Sequence, residues 1–192
     1  MLLGAVVVIG LVRRAGGVGL DEQILRQIAP VQTAVAHTVT PIMLAATWAG
    51  DWTPRLAVAI GTAAFLVGGG QERRALWLAG LIGGAAGLNT ALKHAFSLAR
   101  PTLLPHLDSV TTYAFPSGHS ANTTALVGAL ALLASGRWPW VPAVAVAGLV
   151  GVSRTWLGVH WPTDVLGGWM VGGAAVLVAA PLLPGRGVKS GR

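Results

Sequence analysis

Five apolar runs, separated by short polar or basic breaks, constrain this chain more than any other feature: residues 54–70, 75–95, 118–134, 139–155 and 163–182. Each is 17 to 21 residues long. At about 1.5 Å per residue, runs of this length approach the ~30 Å hydrocarbon core of a bilayer. Lipid supplies no hydrogen-bond partners, so such runs must fold as helices that satisfy their own backbone. The rest of the chain agrees. Only 10% of its residues are charged and 54% are hydrophobic, whereas a soluble domain carries about 25% charge. That balance excludes a disordered chain and a typical cytosolic enzyme. The 27 glycines are ones membrane helices tolerate. The predicted fold is all-α: a polytopic membrane helix bundle of about six transmembrane helices plus interfacial amphipathic helices, in one domain over residues 1–192.

The N-terminal quarter is less regular. Residues 2–12 form an apolar run that covers only about half of the core, followed by Arg13-Arg14. It reads as a first span with a shortened start, or as a half-buried N-terminal anchor. Residues 20–50 mix charges and amides with apolar residues at helical spacing. They predict two amphipathic segments at the membrane interface, broken at Pro30 and Pro41, with Trp48 and Trp52 as interfacial aromatics. Gly80, Gly83, Gly84 and Gly87 form two overlapping GxxxG pairs, which predict a close helix crossing there.

Charge orients the bundle. The net charge is +7, and in such an apolar chain it predicts anchoring at an anionic leaflet, not nucleic-acid binding. Bases near Arg73, near Arg137 and in the tail 185–192 fall on one side, which the positive-inside rule makes cytoplasmic. Residues 96–116 and 156–162 then face outside. Arg13 and Arg14 fall on the wrong side of that scheme. Eleven of the 13 basic residues are Arg, and with the Ala and Gly content this suggests a GC-rich bacterial genome. The chain has no cysteine, so disulfides, thiolate metal sites and cysteine nucleophiles are excluded.

Three polar clusters interrupt the outward-facing helix ends. Lys93 and Arg100 stand seven apart, so on a continuous helix they share a face and suggest an anion site. Snorkelling bases at a helix end would look the same. Ser117-Gly118-His119 precedes a long apolar helix. Ser117 is a natural N-cap, and the free N–H groups after it could cradle an anion. A plain capped helix with an incidental His is the alternative. Arg154 sits at the outer end of an uncharged span, followed by His160 and Asp164. An intramembrane charge points to function. A carboxylate beside a His sets its tautomer, although Asp164 could merely complement a helix N-terminus. Together these clusters supply cations, two His and an Asp: a phosphate site with a nucleophile and an acid, and a poor metal site, because the two His lack a third ligand.

Lys93-x6-Arg100-Pro101, Pro116-Ser117-Gly118-His119 and Ser153-Arg154-x5-His160-x3-Asp164 resemble the three signature motifs of the phosphatidic acid phosphatase type 2 superfamily, at eleven positions in order across residues 93–164. The resemblance implies a six-helix membrane phosphatase that uses no metal or other cofactor. It also implies roles. His160 would attack phosphorus, Asp164 would hold its ring, and His119 would protonate the leaving oxygen and then activate water. Lys93, Arg100, Ser117, Gly118 and Arg154 would bind phosphoryl oxygens. The expected substrate is a lipid phosphate or diphosphate at the extracytoplasmic face of the cell membrane, a polyprenyl (undecaprenyl) diphosphate foremost. Phosphatidylglycerophosphate and phosphatidic acid are alternatives, as is a non-catalytic lipid transporter on the same fold. One departure is Thr102-Leu103 after Arg100-Pro101, where many members carry a second Arg-Pro. His94 and His106 flank the motifs without an assigned role.

Overall fold

The computed structural model of the chain describes residues 1–185. Among them lie eight α-helices: α1 Leu2–Arg14, α2 Gly19–Ala34, α3 Ala36–Ala49, α4 Trp52–Gly68, α5 Glu72–Phe96, α6 Gly118–Ala134, α7 Trp140–Trp156 and α8 Pro162–Ala179. A 3-10 turn, Ala180–Leu182, extends α8. The described residues hold no strand, and the architecture is the membrane helix bundle that the apolar runs predict. The tail past Gly185, with its orienting bases, lies outside the described residues.

By length and composition, α5 and the extended α8 are each sufficient to cross a membrane, and α1 and α2 qualify only as a pair bent by 82°. Helices α4, α6 and α7 have 17 residues each, about 26 Å of helix. The outer faces carry the apolar side chains Val8, Ile60, Phe65, Leu76, Val144 and Leu177, all largely exposed. In water such a surface would drive aggregation; in a bilayer it is the face that the solvent wets.

Two expectations about the helices are corrected. Pro30 and Pro41 do not break the 20–50 segment; each lies inside a helix, and the break falls at Val35. A proline removes a single backbone donor, and packing offsets it here. Gln32, just past Pro30, donates to the Trp156 carbonyl at 2.6 Å, and α3 packs along α7. The second correction concerns the GxxxG pairs of α5. A Cβ at Gly80, Gly83, Gly84 or Gly87 would meet nothing within 4 Å. Gly80 and Gly84 instead line an apolar cavity of about 500 Å³ between α1, α5 and α8. The tight crossing is α8 on α6. A Cβ at Gly168 would lie 2.5 Å from the Ser117 carbonyl oxygen, and one at Gly172 closer still to that of Ala121. A small-residue stripe permits close approach but does not specify which neighbour takes it.

That crossing, with a buried cluster of Val6, Phe96, Phe115, Ala121 and Val171, joins α1, α5, α6 and α8 at one end of the bundle. The Phe96 and Phe115 rings meet edge to face at 5.4 Å. The polar motifs collect at this end.

Candidate active site

The starts of α6 and α8 are tied directly: the Ser117 N–H donates to the Asp164 carbonyl at 2.9 Å. Pro162, with its preset φ, opens α8. Asp164 caps this first turn by accepting the Trp161 N–H at 2.9 Å on Oδ2. His160, four residues before Asp164, places Nδ1 3.2 Å from the same Oδ2. Its orientation has a backbone cause as well. The N–H groups of Val159 and His160 both reach the Arg154 carbonyl at 3.2 Å, so the chain leaving α7 curls back before α8 begins.

This network sets the tautomer of His160. Nδ1 faces a carboxylate and therefore carries the proton, which leaves Nε2 as the acceptor. The guanidinium Nη1 of Arg100, always a donor, lies 3.1 Å from Nε2. Burial pushes the His160 imidazole well below the usual range, and the positive charges of Arg100, Lys93 and Arg154 add to the shift. The ring is thus neutral, with its lone pair on Nε2 facing the Arg100 guanidinium.

Three cations surround that lone pair. Lys93 comes from the last turn of α5, which ends at Phe96 with Ser97 in the left-handed region at φ 50°. Arg100 therefore does not share a helix face with Lys93, as the seven-residue spacing suggested. The two meet because the loop folds back. Lys93 Nζ donates to the Tyr113 carbonyl, and Arg100 Nε donates to that of Thr112 at 2.9 Å. Arg100 also donates to the Val159 carbonyl at 2.6 Å. Burial, with Arg154 nearby, lowers the Arg100 guanidinium to about 10. Arg154 is buried. Its Nη1 donates to Thr47 Oγ1 and to the Asp108 carboxylate, and its Nε has no partner among the described residues.

The start of α6 forms the other wall. Ser117 is the N-cap, its Oγ accepting the Ser120 N–H at 3.4 Å. A Cβ at Gly118 would sit 3.4 Å from Asn89 Nδ2 and 3.7 Å from Lys93 Cε, so the glycine keeps space beside the lysine. Gly118, His119 and Lys93 line a cavity of about 660 Å³ that also reaches Arg55 and Asn122. An apolar groove along α4, lined by Leu56, Ala59, Ile82 and Leu126, begins at the same Arg55 and Asn122. His119 points Nε2 at Asp51 Oδ1, 2.8 Å away.

Five residues join the site that sequence reasoning did not find: Arg13, Asp21, Thr47, Asp51 and Asp108. Arg13 was the charge on the wrong side of the topology. It is buried, and its Nη1 lies 3.0 Å from Asp164 Oδ1 and 3.1 Å from Asp21 Oδ2. The available signal was an acid eight residues after a base, Asp21 after Arg13, in apolar surroundings. His94 packs edge-on against Tyr113 at 5.8 Å. His106 Nε2 lies 2.8 Å from the Pro101 carbonyl. Both shape the loop that carries Arg100.

A family model described as the PAP2 superfamily matches residues 74–187, a stretch that contains all three motifs. The chain belongs to the PAP2 superfamily. Among its relatives, an undecaprenyl-diphosphatase from Sulfolobus acidocaldarius is 41% identical over 78 residues, which are 40% of this chain and 36% of that protein. Phosphatidylglycerophosphatase B from Bacillus subtilis is 37% identical over 94 residues, 44% of this chain and 46% of that one. The PAP2 chain thus spans less than half the length of either relative. The crystal structure of a transmembrane PAP2 type phosphatidylglycerolphosphate phosphatase from Bacillus subtilis superposes with a TM-score of 0.83 at 24% identity, covering 94% of this chain and 93% of that one. That likeness shows the fold, that of a PAP2 membrane protein. Helices α1–α4 lie wholly before the residues the family model matches, and Arg13, Asp21, Thr47 and Asp51 come from that part.

Proposed function

We propose that this PAP2 protein is a membrane lipid phosphatase that releases phosphate from a lipid phosphate or diphosphate through a phosphohistidine. One observation carries the reading: His160 presents an unprotonated Nε2 to a ring of cations while Asp164 holds Nδ1–H. Nε2 attacks phosphorus, and the bond from phosphorus to the leaving oxygen breaks. His119 gives that oxygen a proton. In the second step water attacks the phosphohistidine, His119 takes the water's proton, and the P–N bond breaks to release phosphate. Asp51, bonded to His119 Nε2, stabilises the imidazolium form that the first step needs. Arg100, Lys93, Arg154, Ser117 and the Gly118 amide hold the phosphoryl oxygens, where phosphoryl transfer needs positive charge most. Apart from the attacking water, all of this chemistry comes from the protein's own side chains and backbone.

The favoured substrate is a polyprenyl diphosphate. The names of two relatives support this, since the undecaprenyl-diphosphatase from Sulfolobus acidocaldarius is joined by a second from Bacillus subtilis, 37% identical over 118 residues. Phosphatidylglycerophosphate, named by another relative, and phosphatidic acid are the alternatives. The whole chain acts as one domain, because α1 and α2 contribute buried groups that contact α8. The site faces outward. Exposed Arg73, in the first turn of α5, and Arg137, in the connection before α7, lie away from it, and Arg74 donates to the Pro184 carbonyl at 2.9 Å.

A panel assay tests the activity. Phosphate release is measured from undecaprenyl diphosphate, undecaprenyl phosphate, phosphatidylglycerophosphate and phosphatidic acid, with EDTA present throughout. Turnover should be fastest on the first and indifferent to EDTA. Release from none of them would favour a lipid carrier. Loss in EDTA restored by Mg²⁺ or Zn²⁺ would refute a metal-free route. For the face, single cysteines at Thr111 and Ser135 in this cysteine-free chain should respectively react with and resist an impermeant thiol reagent on intact cells. The reverse pattern would invert the topology.

A further inference from the structure

We infer that Arg13 and Asp21, from the bent α1–α2 pair, are positioning residues that hold the Asp164–His160 dyad from behind. This rests on the phosphohistidine reading of His160. The two oxygens of Asp164 are used differently. Oδ2 takes the Trp161 N–H and faces His160 Nδ1. Oδ1 takes Arg13 Nη1 at 3.0 Å. Asp21 meets the same Nη1 at 3.1 Å through Oδ2. It also accepts the Thr163 N–H at 2.9 Å and the Thr163 hydroxyl, so it grips the residue next to Asp164. Arg13 lies over the Trp161 ring at 5.2 Å, on the other side of the same turn. The sharp α1–α2 bend brings the base and the acid to one point.

Docking two helices does not require such a device. Two charges taken out of water are expensive, and an apolar contact of similar volume usually serves stability as well or better. This one is placed against the single carboxylate oxygen that the dyad leaves unused. It also has a suitable charge. Arg13 with Asp21 and Asp164 sums to one negative charge, the complement of the positive ring that His160 becomes when it carries a phosphoryl group. Arg13 alone would neutralise Asp164, and Asp21 restores the difference. Arg13 locks the carboxylate rotamer, and with it the direction of Nε2. A displacement of about 1 Å in a reacting group can cost about 10²-fold in rate.

The test uses the full chain in detergent, with Arg13→Gln, Arg13→Lys and Asp21→Asn, alone and in an Asp164→Asn background. kcat and KM are followed on lipid phosphate, and the phosphohistidine is trapped by alkaline quench. Arg13→Gln and Asp21→Asn should lower kcat and phosphoenzyme formation by about 10²-fold and leave KM within about twofold, and Arg13→Lys should lose less than Arg13→Gln. In the Asp164→Asn background their further loss should be under about threefold, because groups acting as a unit are not additive. Losses that multiply in full in that background would overturn the inference, as would losses confined to KM. Should Arg13→Gln fail to fold, the near-isosteric Asp21→Asn decides by the same criteria. His160→Ala is the control. If it stays active, the phosphohistidine reading fails and takes this inference with it. If it is inactive while Arg13→Gln and Asp21→Asn match the parent, only the positioning role is overturned.

Discussion

On the α6–α8 side of the site, Arg154, His160 and Asp164 are each 2% exposed or less, and a backbone hydrogen bond joins the two helix starts. On the other side the functional groups sit on connections. The Asp51 and Asp108 side chains are 43% and 24% exposed, and Arg100 rides on the loop after α5. The two halves have different work. In the proposed mechanism the covalent step needs a nucleophile aimed within fractions of an ångström, which packing supplies. The proposed lipid substrate would have to enter, release its oxygen and leave, and groups near solvent suit that. Arg154 belongs to the first half but bonds a carboxylate of the second, Asp108, where an anionic phosphoryl oxygen would bind.

The largest effect that would test this division is His160→Ala. It should abolish phosphoenzyme formation with any substrate, a loss of at least about 10⁵-fold, and a phosphoenzyme that still formed would assign the nucleophile elsewhere. Next is His119→Ala, in the first turn of α6 and bonded to Asp51 of the other half. General-acid help contributes about 10²–10⁴-fold, so single-turnover phosphoenzyme formation should drop in that range on an alkyl lipid phosphate. It should drop far less on an aryl phosphate, whose leaving group needs no proton. Equal losses would remove His119 from the acid role.

Gly168→Val probes the rigid half without touching a reacting group. Its side chain would push on the Ser117 carbonyl, so overpacking should destabilise the bundle by about 1–3 kcal/mol, seen as a lowered thermal midpoint. The same substitution at Gly84, which faces a cavity, should have little effect. Similar shifts at both positions would mean that the α6–α8 crossing is not special. The smallest expected effect is at Asp108→Asn. Removing a carboxylate that competes for Arg154 should lower KM by about threefold with kcat unchanged, on the scale of a partly exposed ion pair. A raised KM would show that Asp108 supports the site instead.

The same division explains what the sequence could reveal. Lys93, Arg100, His119, Arg154, His160 and Asp164 were legible because polar groups in apolar runs are rare, so each one demanded a reason. Helix ends were legible where Pro, Gly or charge interrupts a run, as at Ser117 and Pro162. Pairings were not. Arg13 and Asp164 are 151 positions apart, and His119 and Asp51 are 68 apart; nothing local announces either contact. The glycines show the limit from the other direction. Gly80-x3-Gly84 and Gly168-x3-Gly172 look alike as sequence, and only the packing separates the one that lines a cavity from the one that seats a helix. Arg13 was misread for a related reason: a base at a helix end looks like a topology signal until a buried acid is found beside it.

Arg154 performs two jobs with two separate parts of its covalent structure. Its guanidinium bonds Thr47 and Asp108 at the proposed anion site, while its carbonyl receives the amides of Val159 and His160. Mutation can edit only the first. Every replacement at this position keeps the oxygen that turns the chain toward His160, so the proposed recognition of phosphate can drift over generations while the backbone bonds that orient the proposed nucleophile are inherited.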